Sequence, residues 1–320
     1  MVKTNFKNFI KRALALLLII TQVAILAACG EEPATTSFGE DWLLNTYCYI
    51  SVNEPGKEAV ISEAFKLARD YENKLSRTIP TSQVATGNFD EETQVLVDQA
   101  LAFEESTAGA FNIHLGAVSA LWDFSGSNGG PFIPSEEEIA KALEEQVLDL
   151  GAIAKGYIAD KVSEYLKSNG VSSAIISLGG NIICLGVKSD GTNFKVGIEK
   201  PFGEKGTPLE QRESIGTVIC PPDYSVVTSG IYERCFTADD GTFYHHILNN
   251  ETGYPAETEL ASATIVGPSS CICDALATIC ILDGPSKGIE FMKDFPEYKA
   301  VFITTQGDII DSFEILNMIK

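Results

Sequence analysis

Apolar and polar residues alternate from Leu43 to Val52, a period of two that predicts a strand. The period then changes: within Glu58–Leu75 the apolar positions Val60, Ala64, Leu67, Ala68, Tyr71 and Leu75 recur every three or four residues, which predicts an amphipathic helix. A second helix is predicted from Glu91 to Ser106. After a Gly-, Ser- and Pro-rich loop at Ser125–Pro134, Ser135 with Glu138 forms a capping box that opens a short helix to Glu145. Asp149 to Asn169 reads as a turn feeding a helix, with Ile158, Val162, Tyr165 and Leu166 as its apolar face and Gly170 as its stop. Short apolar runs predict strands at 174–178, 182–185, 194–198, 214–220, 225–228, 263–266 and 300–304, with helices at 274–282 and 286–295. Strands in runs, with helices interspersed and no regular βαβ cadence, favour an α+β fold over a doubly wound sheet.

The first 28 residues follow another logic. Lys3, Lys7, Lys11 and Arg12 precede an apolar run from Ala13 that ends in small residues, the pattern of an export signal. Leu26-Ala27-Ala28-Cys29 reads as a lipobox, in which Cys29 is lipidated and becomes the new N-terminus. The expected division is therefore a signal peptide over 1–28, a lipidated cysteine and tether over 29–40, and one catalytic-size domain over 41–320. The chain would be exported and held by lipid on the outer face of the cytoplasmic membrane, or on a periplasmic membrane surface. No later run approaches the 18 apolar residues of a membrane span.

Charge narrows the partners. The chain carries 44 acidic against 23 basic residues, a formal charge of −21, and four of the basic residues lie in the signal. Such a surface argues against nucleic acid, and an anionic ligand would need a placed lysine, backbone N–H groups or a bound cation. Seven cysteines besides Cys29 are scattered through apolar contexts, which suits small buried hydrophobes better than a disulfide framework.

Several segments could carry chemistry. His245 and His246 are two of only three histidines, so they are among the few groups that titrate near neutral pH. In an extended segment one of them faces inward and the other outward. Gly151-Ala152-Ile153-Ala154-Lys155-Gly156 is either an anion-binding helix start with a lysine or simply a tight turn into a helix. Gly179-Gly180-Asn181 and Thr228-Ser229-Gly230 allow close approach of a ligand, and equally suit turns. Asp274 and Thr278, four apart on a predicted helix, put two oxygens on one face. That pair suits Mg²⁺, or else a helix cap and a core threonine.

Taken together, in their order and spacing, these segments resemble the FAD:protein FMN transferase (ApbE) family. The likeness runs through Leu44-Asn45-Thr46, Lys74-Leu75-Ser76, Gly109-Ala110-Phe111, Leu121-Trp122-Asp123-Phe124, Leu148 to Tyr157, Gly179-Gly180-Asn181, Thr228-Ser229-Gly230, His246-Ile247, Thr252-Gly253-Tyr254-Pro255 and Asp274 to Thr278. The resemblance implies an α+β, T-fold-like arrangement of mixed, largely antiparallel sheets packed with helices. It also implies an Mg²⁺-dependent enzyme that cleaves FAD, attaches FMN by a phosphoester to a Thr or Ser hydroxyl of an exported or membrane redox protein, and releases AMP. Asp274 and Thr278 match its side-chain metal ligands, Ala152 its backbone ligand and His246 its general base. Thr46, Ser76, Lys155, Gly179, Gly180, Asn181, Thr228, Ser229 and Gly230 fall where the family holds FAD.

The chain departs from the family pattern at Asn249-Asn250, where Asp-Pro is common, and this change is expected to loosen or reshape the loop behind His246. Two other functions remain in view: hydrolysis of FAD to FMN and AMP, and flavin binding without catalysis.

Overall fold

The computed structural model describes residues 36–124, 131–203 and 211–318. The signal, Cys29 and most of the tether lie outside the described residues. The tether nevertheless proves shorter than the sequence suggests, because strand β1 already begins within it, at Ser37. It spans Ser37–Leu43 and pairs with β2 (Thr46–Val52) in an antiparallel hairpin. The predicted single strand from Leu43 is thus broken at its second residue. Leu44 and Asn45 both take left-handed backbone conformations, each with φ of 55°. A two-residue turn with both central φ positive matches the twist of a hairpin, and alternation alone cannot reveal it.

The longer helices follow the predicted apolar spacing, and two short ones, Gln83–Thr86 and Gly116–Leu121, are not predicted from it. In chain order the helices are α1 (Glu58–Leu75), α2 (Gln83–Thr86), α3 (Glu91–Ser106), α4 (Gly116–Leu121), α5 (Glu136–Leu143), α6 (Ala154–Ser168) and α7 (Ser270–Phe291). The capping box forms as expected, with Ser135 and Glu138 bonding reciprocally at the start of α5. Helix α7 comprises two helical segments that meet at Gly284, just before Pro285. These are the two helices predicted from the sequence.

The remaining strands are β3 (Ala174–Leu178), β4 (Asn181–Leu185), β5 (Phe194–Glu199), β6 (Ser214–Cys220), β7 (Tyr224–Gly230), β8 (Cys235–Thr237), β9 (Phe243–His245), β10 (Leu260–Gly267), β11 (Lys299–Thr304), β12 (Ile309–Ile310) and β13 (Leu316–Met318). Among the described residues they form an eight-stranded sheet ordered β1-β2-β3-β4-β7-β10-β11-β12, a sheet β13-β6-β5 and the pair β8-β9. Every neighbouring pair in these sheets is antiparallel. The fold is the expected α+β arrangement.

Burial explains the layering. The large sheet lays one face on α1, α6 and α7, around a core that includes Ile50, Ile61, Ile158, Leu166, Ile176, Leu276 and Phe302. On the opposite face Cys184, Val226, Val266 and Ile303 meet Phe194, Val196 and Val218 of the small sheet. Strand β10, between both layers, is buried along its whole length. A strand covered on both sides needs no polar alternation, and β10 shows almost none. Cys48, Cys184, Cys220, Cys271, Cys273 and Cys280 are buried in these layers, and Cys235 is buried in β8, as their apolar contexts predict.

Candidate active site

The site begins where α6 and α7 cross. Gly156 allows the crossing: a Cβ there would lie 2.2 Å from the Ser270 carbonyl oxygen, so only glycine lets the backbones come this close. One turn later on α6, Asp160 accepts from the Ser269 hydroxyl at 2.8 Å and from the amides of Ser270 and Cys271 at 2.9 and 3.0 Å. Its carboxylate thereby satisfies the orphan N–H groups at the start of α7. Burial raises its pKa, and the two amides and the hydroxyl pull against that rise.

This junction fixes Asp274, which is 2% exposed. Its Oδ2 accepts the Gly156 amide at 2.9 Å, and Lys155 Nζ lies 3.2 Å from Oδ1. The Gly156 bond has a second consequence. In a regular helix start that amide would donate to Ala152, four residues back. Among the described residues no backbone amide donates to the Ala152 carbonyl. Thr278 stands one turn beyond Asp274, its hydroxyl 3.3 Å from the Asp274 carbonyl and 3.4 Å from Ser229 Oγ.

A carboxylate, a hydroxyl and a released carbonyl form an all-oxygen donor set, able to hold a hard divalent cation that keeps water or phosphate oxygens as its other ligands. Among the described residues no group of three or more His, Cys, Asp and Glu side chains could chelate a metal by itself. The oxygens here suit a cation shared with a substrate.

The Gly151–Gly156 segment is a tight turn into α6. The amides of Ile153 and Ala154 donate to the Leu150 carbonyl, that of Gly151 to Asp149 and that of Gly156 to Asp274. Four of its six amides are thus engaged within the protein, and the Lys155 ammonium adds a positive charge beside them.

Strand ends form the facing wall. Gly179 has φ of 59°, and a Cβ on it would lie 2.2 Å from Thr46 Cγ2, so the β3–β4 turn rests directly on the β1–β2 turn. Asn181 follows, buried, with its Nδ2 unpaired. Ser229 and Thr228 part company because neighbours in a strand face opposite ways. Ser229 meets Thr278, whereas Thr228 Oγ1 pairs with Thr264 Oγ1 at 2.8 Å. Gly230 closes the strand against the Tyr232 ring. Ser76 is the outlier: it caps α1 and bonds Thr78, while the adjacent Arg77 reaches Asp149 at 2.6 Å.

The histidines divide as predicted. His245 is buried and its Nε2 lies 3.1 Å from the Ala256 carbonyl oxygen; burial lowers its pKa to about 4. His246 keeps part of its surface open, and its amide donates to the Arg234 carbonyl at 3.1 Å. Its Nδ1 is buried and has no hydrogen-bond partner among the described residues. Desolvation, then the Arg234, His245 and Lys155 charges, lower its pKa to about 3. The imidazole is therefore neutral across the whole physiological range, and neither histidine is the near-neutral titrating group that the sequence suggests, because burial disfavours the charged form.

Behind it, Asn249 Oδ1 accepts the amides of Glu251 and Thr252, each at 2.9 Å, and Asn250 Nδ2 donates to the Gly109 carbonyl at 2.8 Å. The two asparagines thus tie the loop to its own backbone and to Gly109.

Glu233 escaped the sequence reading. An atom added at Gly180 would sit 3.7 Å from its Oε1, and the residue is exposed. Desolvation pushes its pKa up to about 7, with Lys155 and Arg234 opposing. A glutamate next to an arginine carries no local signal of this; only the fold brings Lys155 and Gly180 beside it. A shallow hollow of about 390 Å³ between α4 and α5 lies elsewhere and shares none of the residues around Asp274.

With this geometry in place, comparison with known proteins identifies the family. The model of the ApbE family matches residues 44–302. A relative from Treponema pallidum named FAD:protein FMN transferase is 32% identical, over 92% of each chain. One of the same name from Klebsiella pneumoniae is also 32% identical, covering 79% of this chain and 84% of its own. The crystal structure of the ApbE protein from Thermotoga maritima superposes with a TM-score of 0.75 at 28% identity, covering 87% of this chain and 97% of that one. The flavin transferase ApbE from Vibrio cholerae has the same fold, with a TM-score of 0.73 at 23% identity over 88% and 98% of the two chains.

Proposed function

The chain belongs to the ApbE family, and on that premise we propose that it is an FAD:protein FMN transferase acting on an exported or membrane redox protein. The observation that carries this reading is the pairing of Asp274 with Gly156 and Lys155, one helical turn from the Thr278 hydroxyl, with no backbone amide among the described residues donating to the Ala152 carbonyl. It is a charge centre suited to a pyrophosphate and not to an uncharged ligand.

In the proposed reaction an acceptor Thr or Ser hydroxyl attacks the FMN phosphorus of FAD. A bond forms from the hydroxyl oxygen to phosphorus, the bond from phosphorus to the bridging oxygen breaks, and AMP leaves with that oxygen. The hydroxyl proton passes to His246, whose neutral imidazole has a ring nitrogen to accept it. Lys155 offsets phosphate charge, and Gly179 and Gly180 let the backbone approach the dinucleotide. Asp274, Thr278 and the Ala152 carbonyl would hold Mg²⁺, which when bound supplies charge stabilisation at the pyrophosphate. In this reading Thr46, Asn181, Ser229 and Gly230 would contact the dinucleotide and Thr228 would contribute through its backbone, with Ser76 standing apart from them. Export and lipidation at Cys29 complete the proposal and would hold the enzyme where such acceptors reside.

Mass spectrometry of a candidate acceptor incubated with the chain, FAD and Mg²⁺ tests the reading: an added FMN is expected. FAD kept with Mg²⁺ and no acceptor should stay intact, whereas release of FMN and AMP would favour hydrolysis. Binding of FAD with neither outcome would leave a flavin carrier.

A further inference from the structure

The small sheet covers only part of the large sheet's second face, over β4, β7, β10 and β11. The β1–β2 hairpin extends beyond it. There Phe38, Trp42 and Tyr47 are 53%, 67% and 39% exposed, and Tyr49 is half-buried between them. The register places Trp42 opposite Tyr47 and Glu40 opposite Tyr49, so all four rings lie on one face. Phe38 stacks on Tyr49 at 6.2 Å, and Tyr47 meets Tyr49 at 6.1 Å. The acid within this patch, Glu40, accepts the Tyr47 hydroxyl at 2.6 Å. Asp41 points to the other face, where it pairs with Arg69 at 2.7 Å.

An open aromatic cluster of this kind marks a contact surface. Amphipathic rings of Trp and Tyr prefer the level of lipid headgroups. The chain also brings this surface to a membrane: Cys29 precedes Phe38 by nine residues. Fully extended, that length spans at most about 30 Å, so a lipid on Cys29 would keep β1 close to the bilayer. The net charge of −21 disfavours attraction by anionic headgroups, which leaves the rings to make the contact.

We propose that the outer face of the β1–β2 hairpin lies on the bilayer interface through Phe38, Trp42, Tyr47 and Tyr49. The inference rests on the proposed lipidation of Cys29. It orients the enzyme, because the Leu44–Asn45 turn of the same hairpin leads into Thr46 at the Gly179 wall. The site is thereby held beside the membrane surface, within reach of membrane-bound acceptors.

Tryptophan fluorescence provides the test, because the chain has only Trp42 and Trp122, and Trp122 is 7% exposed and stacked on Phe124. The full lipidated chain is placed in phosphatidylcholine vesicles with and without bromine near the headgroup end of the acyl chains. Trp42 emission should shift to the blue and lose intensity in the brominated vesicles, and Trp42→Phe should abolish both changes. A chain that floats with the vesicles but shows neither change overturns the docking face and leaves the anchor standing. A chain that remains in the aqueous fraction overturns both. A blue shift without quenching, together with cross-linking through β1, would assign the face to a second copy and overturn the membrane proposal.

Discussion

The helix junction that carries Asp274 and the loop that carries His246 both feel the Lys155 charge but are held by different means. Asp274 is gripped between two long helices whose backbones touch at Gly156 and Ser270, and Asp160 locks the same crossing one turn away. His246 follows a two-stranded ribbon of three residue pairs, and its Nδ1 has no hydrogen-bond partner among the described residues. Displacing the carboxylate means moving core; displacing the imidazole means moving a loop. Charge stabilisation requires fixed dipoles, whereas a proton acceptor must accommodate an incoming hydroxyl, so the lighter hold falls on the side where the acceptor protein would enter.

The comparison is tested most severely at the charge centre. Asp274→Ala should lower FMN transfer by about 10³-fold or more, with far-ultraviolet circular dichroism unchanged; a variant as active as the parent would move the charge centre elsewhere. On the loop side, His246→Gln should cost about 10²-fold, because water can replace the base in part. Transfer by the parent should show no limb at the ordinary histidine pKa of 6.5, since His246 is held down to about 3. Glu233, pushed up to about 7, should instead raise KM for FAD as rising pH ionises it beside the phosphates, and Glu233→Gln should flatten that rise.

Smaller effects separate packing from loop. Gly156→Ala forces a methyl onto the Ser270 backbone and should cost about 3 kcal/mol in urea unfolding. His245 is neutral in the fold down to about pH 4 but protonates near 6.5 when unfolded. Its contribution to stability is therefore complete above pH 6.5 and is lost as pH falls toward 4, about 3 kcal/mol in all. His245→Gln should shrink the difference in unfolding free energy between pH 7.5 and 4.5, two pH values chosen about that window. Asn250→Ala removes the bond to Gly109 and should cost about 1 kcal/mol. If it instead halved transfer without lowering stability, the loop would be catalytically tuned and not merely fastened.

Much of this was legible beforehand because it is local. The spacing of Val60 to Leu75, the Ser135–Glu138 box and the break at Gly284-Pro285 each report conformations fixed within a few residues. Asp274 and Thr278 share a helix face for the same reason. The turn at Leu44–Asn45 was not legible, because two non-glycine residues in left-handed conformations leave no compositional trace. Glu233 was hidden as well, since its pKa comes from neighbours distant in sequence.

The sequence by itself determined the periods, the caps, the buried cysteines and the order of motifs, because each follows from backbone sterics and side-chain polarity over a few residues. Only the tertiary structure decided that the Gly156 amide leaves Ala152 for Asp274, that Ser229 and not Thr228 faces Thr278, and that the outer face of β1 stays uncovered. Those are contacts between segments from 36 to 118 residues apart, or faces set by which layer covers which strand. Their energies come from packing that no local pattern records.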